Sequence, residues 1–172
     1  SSRVTEIKDS TVVLALYEYA GVGQVVGTDY TEADVIQKLY EASTYGDLDS
    51  FNRVVKSRWT KELTTNVDFY HVELTYDRDS NITSADDSVH AGFDVKYTMD
   101  DTNRLVRAEE GTLSSGSITS RTRDQQWKLN HTGNWKRDKV DLNGDGDFVD
   151  TDEVDDTRTH NAVNELTGRD TD

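Results

Sequence analysis

The chain has 172 residues, of which 34 are acidic and 19 basic, giving a formal net charge of −15 with only 33% hydrophobic residues. A field of that sign repels phosphate backbones and anionic lipid surfaces, so nucleic acid and membrane insertion are poor roles and cations are the natural counterpart. With no cysteine and no proline, disulfides and thiolate metal sites are excluded, and nothing interrupts strand pairing.

A mean hydropathy of −0.80 would suit a disordered chain, but eight Tyr, four Phe and three Trp are costly to leave in water. The composition predicts an ordered, thin-cored protein of repetitive architecture. No apolar run reaches transmembrane length, and Ser1-Ser2-Arg3-Val4 does not resemble a signal peptide. The chain reads as a mature fragment or a piece of something longer. No domain boundary is visible, so residues 1–172 read as a single β domain.

Along the chain, one seven-residue pattern recurs. It runs from an aromatic or apolar residue through a small acidic or amide residue and two variable positions. Gly, Asn or Ser follows, then a polar residue and an apolar one. Ser2-Arg3-Val4 matches the tail of one copy. Full copies begin at Tyr19 (YAGVGQV), Leu48 (LDSFNRV), Tyr76 (YDRDSNI), Met99 (MDDTNRL), Leu129 (LNHTGNW) and His160 (HNAVNEL), about 28 residues apart. The fifth column holds Gly23, Asn52, Ser80, Asn103, Gly133 and Asn164, mostly types that tolerate positive φ in a hairpin turn. The second column is mostly Asp or Asn (Asp49, Asp77, Asp100, Asn130, Asn161), able to fold back on the turn backbone. Strand-like alternation precedes several copies, as in Val72, Leu74, Tyr76 and Phe93, Val95, Tyr97, Met99. The expected fold is therefore all-β, made of consecutive antiparallel β-hairpin repeats. One stretch breaks the pattern: Thr31-Glu32-Ala33-Asp34 with Val35, Leu39 and Tyr40 either caps a short helix or runs as an irregular strand.

These copies resemble the Rhs, or YD, repeat family, whose signature is a Tyr-Asp turn followed by Gly-Arg and an apolar residue. The segments that carry the resemblance best are LTYDRDSNIT (Leu74 to Thr83), YTMDDTNRLVRA (Tyr97 to Ala108) and LYEYAGVGQVVG (Leu16 to Gly27). It spans Ser2 to Gly168, with Tyr30 to Thr44 and the acidic loop described next as insertions, and the paired Tyr-Asp survives only at Tyr76-Asp77. The resemblance implies hairpins forming a spiralling sheet, tube or shell in a large secreted or surface protein. Some members enclose a C-terminal toxin and others act in adhesion. This chain carries neither the family's C-terminal core motif nor a toxin domain, so only the scaffold role is carried over.

The sharpest chemical motif is the segment from Asp141 to Glu153, DLNGDGDFVDTDE, a calcium-binding loop insertion at 141–153 in this reading. Calcium takes six to eight oxygen ligands, and an acidic loop with a sharp glycine turn supplies them. Asp141, Asn143 and Asp145 stand at positions 1, 3 and 5, Gly146 at the turn, and Asp147 at the backbone-carbonyl position. Asp152 falls at position 12, with Glu153 one beyond; either closes the ligand set. Asp at position 12 resembles dockerin-type, EF-hand-like loops of extracellular modules. The competing reading is a solvated acidic turn.

No metalloprotease helix, nucleophile elbow or phosphate-binding glycine loop is present, so the chain reads as a non-enzyme. His71, His90, His131 and His160 are scattered without ligand spacing. Tyr17, Tyr76, Tyr97, Trp127 and Trp135 suit interstrand packing better than a sugar platform. Asn81-Ile82-Thr83 and Asn130-His131-Thr132 match the glycosylation sequon but lie inside turns. Two roles remain. The first is an extracellular or cell-surface scaffold that pairs with neighbouring repeats or copies of itself through open strand edges. The second is an adhesion module contacting glycan through exposed aromatics such as Trp59 or Trp135.

Overall fold

The computed structural model describes residues 3–21, 23–39 and 46–171. The first six strands are β1 (Glu6–Asp9), β2 (Val12–Ala20), β3 (Gln24–Tyr30), β4 (Val35–Lys38), β5 (Lys56–Lys61) and β6 (Val67–Tyr76). The rest are β7 (Ile82–Asp87), β8 (Asp94–Met99), β9 (Leu105–Ser114), β10 (Ser117–Leu129), β11 (Trp135–Asp141), β12 (Val154–His160) and β13 (Leu166–Thr171). Their order in the sheet follows the chain, and it is open, with β1 and β13 at its two ends. The fold is all-β and made of consecutive hairpins, as the turn pattern requires. Packing divides the described residues into two compact units: those of Ser1–Leu74 with Asp87–Val89, and those of Thr75–Asp86 with His90–Asp172.

In the first unit, the segment after Tyr30 forms a single 3-10 turn, Thr31–Ala33, and then returns to strand. The helix alternative fails for two physical reasons. Val35–Lys38 finds ladder partners on both sides, Gly27–Tyr30 of β3 and Arg58–Lys61 of β5. Thr31 meanwhile donates its hydroxyl to the Val13 carbonyl (2.8 Å) and caps no helix N–H. Asp34 closes the turn at φ +49°, and Tyr40, part of the same expectation, lies outside the described residues. Ala15, Val26 and Leu39 are the buried apolar residues of this unit. Around them Trp59 stacks on Tyr30, centroids 6.1 Å apart.

The second unit has a different interior. Its one buried apolar side chain among the described residues is Val140, whereas Asp94, Asp124, Asp141 and Asp156 are all buried. Burying a carboxylate costs several kcal/mol unless it is paired and hydrogen-bonded, so this unit depends on ion pairs at Asp124 and Asp156 and on backbone N–H donors at Asp94 and Asp141. β9 and β10 form its longest hairpin, closed by Ser115 (φ +50°) and Gly116 (φ +77°). Bulges sit beside the repeat turns: Thr98/Met99, Lys128/Leu129 and Thr159/His160 each break register. A bulge bends its strand and increases local twist, so the curvature recurs with the repeat.

Candidate functional site

The repeat turns share one construction, and the second-column residue organises it. Asp49 Oδ1 accepts from the backbone N–H of Phe51 and Arg53, both at 2.9 Å. Asp77 does the same for Asp79 and Asn81, Asp100 for Thr102 and Arg104, Asn130 for Thr132 and Asn134, and Asn161 for Val163 and Glu165. In each, the second-column carbonyl accepts from the fifth-column N–H, as from Asn103 to Asp100 at 3.0 Å. The fifth residue is left-handed throughout: Asn52 +64°, Ser80 +72°, Asn103 +61°, Gly133 +89° and Asn164 +65°. This is a type I turn followed by a left-handed bulge residue. The first copy departs from it. Ala20 has no side-chain acceptor, and the positive φ moves from Gly23 to Gly21 (+53°).

The sixth column was not singled out from the sequence, and it carries the next layer. Arg53 returns its Nε to Asp49 (2.6 Å), and Arg104 returns its Nε to Asp100 (2.7 Å). The Arg104 guanidinium, with the Thr102 hydroxyl, holds the Asp100 carboxyl well below the usual range. Asn81 donates to Asp77 and also to Asn103 of the next turn, both at 2.9 Å. Arg104 reaches the Asn130 carbonyl (2.8 Å), Asn134 reaches Asn164 (2.8 Å), and Asn52 donates to Gln24. Adjacent turns within a unit are thus laced together by side chains. Of the two sequon asparagines, Asn81 donates its amide nitrogen in these bonds, and Asn130 accepts through its oxygens.

The acidic loop joins β11 to β12. Asp141 is fully buried, and its carboxylate gathers the loop backbone: Oδ1 accepts from Asn143 (3.1 Å) and Gly144 (2.5 Å), and Oδ2 from Gly146 (2.9 Å). Glu153 closes the loop by accepting from Leu142 (3.0 Å) and Asp150 (3.3 Å). Asn143 Oδ1 accepts from Asp145 N–H (2.8 Å), and its amide donates to Asp150 (2.7 Å). Two groups of carboxylates come together with their oxygens within 4.8 Å of one another, Asp141, Asp145 and Glu153, then Asp145, Asp147 and Asp150. Either group could hold a metal ion. Asp147 thus contributes a carboxylate, and Glu153 and Asp150 join the groups. Asp152 falls in neither.

Strand β10 is the floor under this loop. A Cβ on Gly144 (φ +80°) would lie 2.2 Å from the Arg121 carbonyl oxygen, so only glycine fits. Along one row, Glu109, Asp124 and Asp141 stand directly opposite one another on β9, β10 and β11. Like charges so placed repel. Arg107 offsets the repulsion with three bonds to Asp124 (2.9, 3.2 and 2.8 Å), and Arg121 pairs with Glu109 at 3.0 Å. Burial pushes Asp124 up, but the Arg107 bonds, helped by Gln126, outweigh it and leave the carboxyl below its ordinary value.

The remaining candidates fall to packing. Trp59 is occupied by Tyr30, and Trp127 lies 6.3 Å from Trp135. Trp135 is 42% exposed with Arg158 over its ring at 5.2 Å. His90 packs edge-on to Phe93, and His71 lies 3.7 Å from both Asp68 and Glu73.

No known family's sequence pattern matches the chain. No curated protein matches it either. Among solved structures, the chain is similar to one described as "Crystal Structure of TcdB2-TccC3-TEV", with a TM-score of 0.61 and 15% identity. The match covers 86% of this chain and 8% of that one, so the chain spans a small fraction of the protein it matches. At that identity the likeness is one of fold.

Proposed function

We propose that the chain is a non-enzymatic scaffold segment of the Rhs/YD-repeat type, working outside the cell or at its surface. Residues 1–172 act as one run of repeats with the 141–153 loop inserted. The observation that carries this reading is the repeated turn: five copies share the same side-chain and backbone bonds around a left-handed fifth residue. The fold likeness to the TcdB2-TccC3 structure supports it. The spiralling shell or tube of that family is the assembly in which such hairpins share a thin core.

The strands at the two ends of the sheet order, β1 and β13, pair with neighbouring repeats of the same protein or with a further copy. Sedimentation over a wide concentration range tests this. Concentration-dependent association supports it, and a strict monomer throughout contradicts it. The second role, glycan contact through aromatics, is left only Trp135, which is 42% exposed but carries Arg158 over its ring; Trp59 is stacked on Tyr30.

The loop binds calcium in this proposal, through Asp141, Asn143, Asp145 and Asp147, with Glu153 or Asp152 closing the set. The crowded carboxylates support it, because a divalent ion offsets their repulsion and extends the hydrogen-bonded frame that Asp141 and Glu153 already build. Affinity of the extracellular class, roughly 10⁻⁴ to 10⁻³ M, would add about 1.4 kcal/mol at ten times the dissociation constant. The ion is then a pin for a long loop. Calcium should raise the melting temperature of the wild type and leave Asp145→Ala unchanged. No shift in the wild type at millimolar calcium would count against the site.

A further inference from the structure

Two dipeptides prone to rearrange through their own backbone stand side by side in the acidic loop. Asn143-Gly144 is the one Asn-Gly pair of the chain, and Asp145-Gly146 its one Asp-Gly pair. In such a pair the backbone nitrogen of the second residue can attack the side-chain carbonyl carbon of the first. Glycine carries no Cβ to block the approach, and its backbone turns readily toward it. At asparagine the step is a deamidation. The bond from Gly144 N to Asn143 Cγ forms, the Cγ–Nδ2 bond breaks, and ammonia leaves with the proton that the nitrogen gives up. Water then opens the succinimide ring at one carbonyl or the other, leaving aspartate or isoaspartate at position 143.

The folded loop engages each group of that reaction. Gly144 N–H donates to Asp141 Oδ1 at 2.5 Å, Asn143 Oδ1 accepts from Asp145 N–H at 2.8 Å, and Asn143 Nδ2 donates to Asp150 at 2.7 Å. The second pair is held by the same residue, since Gly146 N–H donates to Asp141 Oδ2 at 2.9 Å. One fully buried carboxylate thus holds both attacking nitrogens. Attack requires the amide nitrogen to lose its proton, and an amide anion beside Asp141 would set two negative charges in contact away from water. Rotation at Gly144 is restricted as well, because a Cβ there would lie 2.2 Å from the Arg121 carbonyl oxygen. Asn143 itself is exposed, so water reaches it as soon as the loop opens.

We propose that Asn143 is a deamidation site that Asp141 keeps closed in the folded loop, and that loop opening exposes to irreversible conversion. Conversion removes the amide donor to Asp150 and adds a carboxylate beside Asp145 and Asp150. The isoaspartate form also inserts one backbone carbon between Asp141 and Asp145, so the loop cannot close on its former bonds. The bonds that protect Asn143 need no metal ion, and the proposal does not rest on the calcium reading.

The rate in the folded protein is that of the unfolded chain scaled by the fraction of time the loop is open. Peptide mapping by mass spectrometry tests this on the full chain, held in chelator at mildly alkaline pH, folded and in guanidinium chloride. In denaturant, position 143 should convert fastest of the chain's asparagines, and in the folded protein at least about tenfold more slowly. Asp141→Ala should bring the folded rate close to the denatured one. Asp49→Ala, which removes the same kind of acceptor from a turn of the other unit, should leave it unchanged. Melting curves show whether both variants fold, and the folded-against-denatured comparison of the wild type stands without them. Equal rates in the two states of the wild type, or a folded Asp141→Ala no faster than wild type, would overturn the proposal. Faster conversion in the folded state would overturn it too, with Asp141 acting as a base for the attack.

Discussion

Consecutive antiparallel strands place their connections alternately at two strand ends, and in this protein the two ends are built on different terms. At one end, the turns around Asp77, Asp100, Asn130 and Asn161 repeat the same backbone bonds almost atom for atom. At the other end of the same unit, no two connections agree. One is the two-residue turn Ser115-Gly116, and another is the acidic loop between β11 and β12. The repeated end is held by backbone bonds within five residues, organised by the second and fifth columns, with sixth-column side chains lacing one turn to the next. The variable end depends on what lies beneath it, a charged row on β9, β10 and β11. The turns are uniform along one end, and the opposite connections differ from one another.

That contrast can be broken most severely from the floor of the variable end. Arg107→Met leaves Asp124 buried opposite Asp141 without its main cation, and should cost about 3–5 kcal/mol by urea denaturation. A loss under 1 kcal/mol would mean that Arg121 and Gln126 suffice. Gly144→Ala forces a side chain against the Arg121 carbonyl at positive φ, and about 2–4 kcal/mol is expected. Hydrogen exchange should show that loss confined to the loop and β10, with the turns unaffected. At the repeated end, Asn130→Ala removes the acceptor for two backbone N–H groups and should cost about 1–2 kcal/mol. Asn130→Asp keeps the acceptor and should restore most of it.

The smallest effect is a pH dependence at the repeated end. The Arg104 bond, followed by that of Thr102, lowers the Asp100 pKa in the folded state. The unfolded value lies near 3.9, so below about pH 4 the unfolded chain takes up the proton first. Stability from Asp100 is complete above that value and is lost as pH falls toward the folded one. Asp100→Asn should therefore flatten the acid limb of the melting-temperature profile relative to wild type. An unchanged slope would show that the Arg104 contact contributes nothing in solution.

The turns were legible in the sequence because their requirements are local. A left-handed residue at column five and an oxygen at column two leave a compositional trace wherever they occur, and Asn103 with Asp100 shows both. The first copy misleads for the same reason: Gly23 fits the column, yet Ala20 beside it cannot organise the turn, and the positive φ shifts to Gly21. The loop was legible as an acidic segment, and Asp141 and Asp145 fall together in one carboxylate group. Counting could not show Asp150 turning inward or Asp152 outside both groups, because those depend on how the loop folds over β10. The buried Asp124 left no sequence signal, since its partners arise from register between strands. Arg107, Gln126 and Lys139 become neighbours only once the ladders are in place.

The central claim, a self-associating repeat scaffold with a cation-pinned loop, is tested most directly by negative-stain electron microscopy of the purified chain with and without millimolar calcium. The account predicts ordered assemblies that fray when calcium is chelated. Single compact particles under both conditions would contradict it.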